Sequence, residues 1–198
     1  MRNTAIVECL DYRVYERYFE IEKGDVLIDV GAGIGEFTIL AGVKVGNEGC
    51  VLAIEPEPRN FAYLKTNVKL NKLKNVKLCR KAIAEYKGRA KLYVLDNGCT
   101  GHSLIPRKRA KAIEVEVDTL DNVVNSYALD KIDFIKVNVE GAEVNVIKGG
   151  RKVLGMARKV VIECHGAYNV TKIIRILKAL GFKVWLYGDI VYGFRKTV

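Results

Sequence analysis

The chain has 198 residues, enough for one domain that buries a core without disulfides or a structural metal. Apolar residues make up 49% and charged residues 28%, which excludes a disordered chain, and no apolar run reaches the length of a membrane-crossing helix. Lysine and arginine outnumber aspartate and glutamate by 33 to 23, giving +10; this fits a lysine-rich surface better than an RNA-binding face, because the basic residues are scattered along the chain.

The first residues lack the apolar core of a signal peptide, so cytoplasmic residence is the default expectation. Tyr12, Tyr15, Tyr18 and Phe19 precede the first strand, and core packing is favoured for them over a cover for a bound ligand. The run Asp25–Val30 predicts a short buried strand ending in glycines, followed by a helix with Phe37, Ile39, Leu40 and Val43 at helical spacing. Cys50–Ile54 predicts a second strand. The next helix starts near Pro58 and places Phe61, Leu64 and Val68 on one face. Val76–Cys79 predicts a third strand.

Residues 85–117 differ in pattern. Arg89–Val94 and Ile113–Val117 alternate with period two, as half-exposed strands do. Between them lie a glycine-containing loop, Asp96–Ser103, and a basic patch at Arg107, Lys108, Arg109 and Lys111. Asp118 is the expected N-cap of a helix that buries Leu120, Val123 and Val124. Ile132–Val137 predicts a fourth core strand. One helix from about Ala142 should bury Val146, Ile147 and Leu154. Val160–Glu163 predicts a fifth strand. Val170, Ile173, Ile174 and Leu177 form a helical stripe that Gly181 ends, and Phe182–Phe194 predicts a hairpin turning at Gly188-Asp189. Strands alternating with helices imply a mostly parallel sheet of about seven strands with helices on both faces.

The five cysteines are odd in number, contain no CxxC, and accompany only two histidines, so neither a disulfide framework nor a zinc site is expected. Cys50, Cys79 and Cys164 are read as small core residues. The absence of glutamine and the two methionines lean toward a heat-adapted source.

The strongest local signal is Asp29-Val-Gly31-Ala-Gly33-Ile-Gly35-Glu36, at the junction of a strand and a helix. A dinucleotide fingerprint starting at Gly31 needs glycine at position 36, where Glu36 would repel a pyrophosphate. The acid-x-Gly-x-Gly-x-Gly form resembles the loop of class I S-adenosylmethionine-dependent methyltransferases, whose cationic cofactor suits a nearby acid such as Asp29. Glu55, 20 residues after Gly35 at the end of the second strand, can accept hydrogen bonds from both hydroxyls of a ribose; the competing reading is a cap for the helix at Pro58.

Further motifs are specific in their order. Asp118-Thr-Leu-Asp121, Asp133-Phe-Ile-Lys-Val-Asn-Val-Glu-Gly-Ala-Glu143 and Val146-Ile-Lys-Gly-Gly150 resemble the signature of FkbM-type methyltransferases. Ile54–Phe61, Asn67–Asn71 and Lys81–Ala84 are similar to other parts of that family, and the resemblance covers roughly residues 23–165. It implies one Rossmann-like class I methyltransferase domain over residues 1–198, with sheet order 3-2-1-4-5-7-6, an N-terminal helical segment over 1–22, and an inserted strand pair and lid loop over 85–117. It also implies methyl transfer from S-adenosylmethionine, usually to oxygen on a sugar or small molecule. By residue, it places Asp29, Gly31, Gly33 and Gly35 around the methionine and ribose, Glu55 on the ribose, and the Lys81-Ala82 turn near the adenine.

The chain departs from the family at Asn138, commonly an acid, which cannot act as a base and is a poor ligand for a divalent cation; no metal is expected. An acid for the adenine amino group is missing near Arg80-Lys81, leaving a backbone contact or Asp96 to serve. Asn138, Glu140 and His165 lie at strand ends where the transferred methyl should sit, and His165 is the candidate base. Against this stand a structural histidine and helix capping by Glu140 or Glu143. His102 and Ser103, on the lid loop, are the candidate acceptor contacts, against an ordinary connection between strands. An RNA methyltransferase is the second reading, and a cofactor-binding subunit without catalysis, suggested by Asn138, is the third.

Overall fold

The computed structural model describes residues 12–95 and 101–195. The strands are β1 (Val26–Val30), β2 (Cys50–Ile54), β3 (Val76–Cys79), β4 (Ala82–Ile83), β5 (Gly88–Val94), β6 (Lys111–Asp118), β7 (Phe134–Val137), β8 (Lys159–Glu163), β9 (Lys183–Tyr187) and β10 (Ile190–Phe194). The helices are α1 (Glu36–Val45), α2 (Pro58–Leu70), α3 (Leu120–Ser126), α4 (Glu143–Gly149), α5 (Arg151–Met156) and α6 (Ala167–Ala179), preceded by a 3-10 turn at Tyr12–Glu16.

Seven strands form one sheet in the order β3-β2-β1-β7-β8-β10-β9. Counted along this sheet alone, that is the 3-2-1-4-5-7-6 order implied by the resemblance. Only β10 runs against its neighbours, and β9 and β10 form the expected hairpin. The side-chain period of two sorts the strands onto two apolar faces. Leu27, Val51, Phe134 and Val161 meet Phe37, Ala41 and Val45 of α1 on one face. Ile28, Leu52, Ile135 and Ile162 meet residues of α3 to α6 on the other. Tyr15 belongs to the first face and is buried, as expected of a core residue, and Phe19 packs edge-on to Phe134, but Tyr18 is exposed and stacks on Trp185 at the surface instead of entering the core.

The two alternating segments are antiparallel strands in a separate sheet, β4-β6-β5. Their inward residues Leu92, Val115 and Val117 pack with Ala82 of β4 and with Ala84, which follows it. The sequence-derived connection between them carries His102 and Ser103, whereas Asp96 and Cys99 lie outside the described residues.

Several local expectations are corrected. Thr119, not Asp118, caps α3: its side chain accepts from Asn122 N, while β6 continues through Asp118 to pair with Ile83. The single helix expected from Ala142 is two, α4 and α5, broken at Gly149-Gly150. A side chain at Gly149 would stand 2.0 Å from the Ala84 carbonyl oxygen, so the helix approaches that backbone too closely for any other residue. Val43 is 64% exposed, because α1 turns Phe37, Ala41 and Val45 inward instead. Cys50 is only half-buried, whereas Cys79 and Cys164 are buried. Among the described residues, no helix is long and apolar enough to cross a membrane.

Candidate functional site

A crevice opens beyond the C-terminal ends of β1, β2 and β7, where open α/β sheets present their ligands. Its floor is the turn from Gly31 to Gly35. Gly31 N and Ala32 N both donate to the Ile54 carbonyl, which ties the turn to the end of β2. Gly31 has φ +76°, and a side chain there would meet the Asn138 carbonyl oxygen at 1.8 Å, so only glycine lets the turn cross the end of β7. Gly33, φ +58°, faces open space: a side chain would meet nothing nearer than the Glu36 carboxylate at 3.8 Å. Gly35 begins α1, packs on Leu64, and is outside the crevice wall.

The two strand-end acids occupy different places. Asp29 lies fully buried beneath the turn and off the crevice wall, its oxygens accepting from Thr38 Oγ1 at 2.6 Å and Lys136 Nζ at 2.9 Å. Lys136 also donates to the Gly31 carbonyl at 2.9 Å, so this pair splints the turn from below. The sequence expectation of Asp29 beside the ligand therefore becomes a supporting position. Glu55 lines the crevice and accepts from Gly33 N and Glu57 N, each at 2.9 Å. It does not cap α2; Glu57 does, accepting from Asn60 N. Burial pushes the Glu55 carboxyl up to about 7, against the lowering effect of its two backbone donors.

The far wall is apolar, from Ala82, Ile83, Leu92 and Leu104, with His102 and Lys81 at its rim. Lys81 is paired with Asp118 at 2.8 Å. His102 Nδ1 accepts from Leu95 N at 3.3 Å, and burial lowers its pKa. Ser103 is 1% exposed and absent from the wall; it donates to the Glu140 carbonyl at 2.6 Å, so it clips its loop to the end of β7 rather than facing a ligand.

Asn138 and Glu140 continue the wall beyond β7. Asn138 Nδ2 donates to Glu163 at 2.9 Å, and its buried Oδ1 has no partner. The Tyr15 hydroxyl donates to the same Glu163 oxygen. Glu140 pairs with Arg107 at 2.8 Å and stands 3.5 Å from His165 Nε2. His165 Nδ1 lies 2.8 Å from Glu143 Oε1, and this bond raises the histidine's pKa against the effect of burial. Glu140 thus does not cap α4, whereas Glu143 sits in its first turn and accepts from Gly141 N. Burial pushes the Cys164 thiol up to about 12, so it is no nucleophile.

The sequence reading overlooked Lys136, Leu92, Leu104 and Asn169. A lysine inside the apolar run Phe134–Val137 was a signal for a buried pair, and the inward phase of β5 pointed to Leu92. Nothing in the helical stripe of α6 marked Asn169.

The Methyltransferase FkbM domain matches this chain over residues 29–184. The chain belongs to the FkbM methyltransferase family. This domain is 30% identical to methyltransferase sdnD of Sordaria araneosa, over 80% of this chain and 73% of that protein. It is 27% identical to the hexuronic acid methyltransferase AglP of Haloferax volcanii, over 80% of this chain and 63% of AglP. The FkbM methyltransferase from Methylobacillus flagellatus KT has the same fold, with a TM-score of 0.68 and 19% identity, over 90% of this chain but only 45% of that one. The FkbM domain accordingly has the class I S-adenosylmethionine-dependent methyltransferase fold. The residues present fit that cofactor. Gly33 leaves space at the floor, Glu55 offers a carboxylate, the far wall is apolar, and the buried Asn138 Oδ1 lacks a donor.

Proposed function

We propose that this FkbM domain transfers a methyl group from S-adenosylmethionine to a hydroxyl of a sugar, glycan or small molecule. The observation that carries this reading is the crevice itself, where Gly31, Gly33 and Glu55 converge with an apolar wall and with Glu140, whose carboxylate stands 3.5 Å from His165 Nε2 behind it. The backbone at Gly31 and Gly33 and the carboxylate of Glu55 would hold the ribose and amino-acid portions. Ala82, Ile83, Leu92 and Leu104 would cover the adenine, with no acid needed there. Asn138 Oδ1 would accept a hydrogen bond from the bound cofactor or acceptor. Asp29, Gly35 and Lys136 keep the turn in shape.

When bound, S-adenosylmethionine supplies a methyl on a sulfonium, an activated leaving group. The remaining work falls to alignment and to removal of the acceptor's proton. His165 takes that proton, and Glu140, held by Arg107, borders its path. His102, which lines the crevice, would contact the acceptor. The sugar-acid substrate in the name of AglP agrees with a glycan acceptor.

A second reading, RNA as acceptor, draws on the exposed Lys108, Arg109 and Lys111 near this rim. Incubation of cell-extract fractions with methyl-labelled S-adenosylmethionine tests both. The proposal expects label in glycans or small molecules. Label confined to RNA would transfer the case to the second reading, and consumption of no cofactor by any fraction would favour a binding subunit.

A further inference from the structure

The imidazole of His165 is held asymmetrically. Nε2 looks toward Glu140, which lines the crevice, and Nδ1 looks into the protein at Glu143. Glu143 is fully buried, and its carboxylate is satisfied on every side: Gly141 N at 2.7 Å and His165 Nδ1 at 2.8 Å on Oε1, Asn169 Nδ2 at 2.6 Å on Oε2. Asn169 also donates to the carbonyls of Gly141 at 3.1 Å and His165 at 3.2 Å. One amide of α6 therefore ties together the turns that follow β7 and β8. Glu140 has φ +57°, a conformation unfavourable for glutamate, and Ser103 and Arg107 hold its carbonyl at 2.6 and 3.2 Å. Both flanks of the imidazole are thus fixed by the fold.

We propose that Glu143, positioned by Asn169, sets the tautomer of His165, keeping the proton on Nδ1 so that Nε2 is the atom that accepts the proton of the methyl acceptor. This rests on the reading of His165 as the base. Glu143 Oε1 faces Nδ1 at 2.8 Å while its carboxyl group accepts from Gly141 N and Asn169 Nδ2, so the carboxyl group is the acceptor of this contact and the neutral ring carries its hydrogen on Nδ1. In the transfer, the acceptor's O–H bond breaks and its proton binds Nε2. The methyl carbon takes its place on oxygen, and the electron pair of the old carbon–sulfur bond stays on sulfur. The imidazolium that forms keeps its Nδ1 hydrogen bond to Glu143 Oε1. The other charged groups facing it are Glu140 on the β7–α4 turn, itself neutralised by Arg107 from the β5–β6 connection, and Glu163 on β8. These carboxylates raise the pKa of His165, so Nε2 is free to act only above the ordinary histidine range.

Long-range proton–nitrogen NMR of the 15N-labelled full chain tests this without any substrate. There are only two histidines, and they should show opposite tautomers. His102 Nδ1 accepts from Leu95 N, so its hydrogen sits on Nε2, and a His102→Gln variant assigns the spectrum. The expected result is a neutral His165 protonated on Nδ1, titrating above 6.5. In Glu143→Gln the midpoint should fall by about 1 pH unit or more, and Asn169→Ala should move it the same way by less. A neutral His165 protonated on Nε2 overturns the proposal, as does an unmoved midpoint in a folded Glu143→Gln. Should that variant fail to fold, the wild-type tautomer decides alone. If the titration behaves as expected but His165→Gln leaves methyl transfer intact, the base reading falls while the control of His165 by Glu143 stands.

Discussion

Asp29 and Lys136 face each other across the β1–β7 register, on the face that holds Tyr15 and Phe37, where water cannot screen either charge. Removing one partner leaves the other buried and unpaired. Lys136→Met should lower stability by about 3–5 kcal/mol in urea denaturation, and Asp29→Asn combined with Lys136→Met should recover part of the loss. Glu55 behaves differently because it stands beyond the end of β2 and accepts from two backbone donors, Gly33 N and Glu57 N. Its carboxyl is pushed up to about 7. Below that pH it is protonated and can no longer accept from two hydroxyls; above it, the carboxylate is available. Calorimetry with S-adenosylhomocysteine should therefore show affinity rising from pH 6 to pH 8, with that component lost in Glu55→Gln. The sequence displays these two acids alike, each near the C-terminal end of a strand. What separates them is phase: Asp29 alternates with Ile28 and Val30 inside β1, so its side chain was bound to point into a layer, and Lys136 in an apolar run was its natural partner. The coupling of Glu143 to His165 joins residues 22 apart through two turns, and no local pattern encodes that.

Among the elements, the strands were legible because alternation and apolar runs report burial directly, whereas their order came only from the family resemblance. The period-two segments at β5 and β6 and the final hairpin show this. Caps and breaks were less legible. Asp118 and Thr119 are both capping types, and the choice between them depends on how far β6 keeps its pairing with β4, a tertiary matter. Thr119→Ala should therefore cost about 1 kcal/mol, read as a lowered denaturation midpoint. The break between α4 and α5 likewise falls where the helix passes too close to the Ala84 carbonyl for any Cβ at Gly149. Gly149→Ala should destabilise the chain by about 1–3 kcal/mol. Because Ala84 follows the two wall residues of β4, the same substitution should also weaken S-adenosylhomocysteine binding; unchanged affinity would separate the helix break from the crevice.

For the whole molecule, the seven-stranded order brings the ends of β1, β2 and β7 to one edge, so residues scattered from Gly31 to Glu140 share a crevice, and His165 after β8 stands 3.5 Å from Glu140. The net charge of +10 bears on the acceptor and not on the fold. If RNA were bound, its affinity should fall steeply with salt, so undetectable binding at low salt removes that reading. The central claim is that this crevice holds the cofactor, and a crystal structure of the chain grown with S-adenosylhomocysteine tests it most directly. The account predicts the nucleoside in the crevice, its ribose hydroxyls on Glu55 and its adenine against Ala82 and Ile83. An empty crevice, or the compound bound elsewhere on the chain, would contradict it.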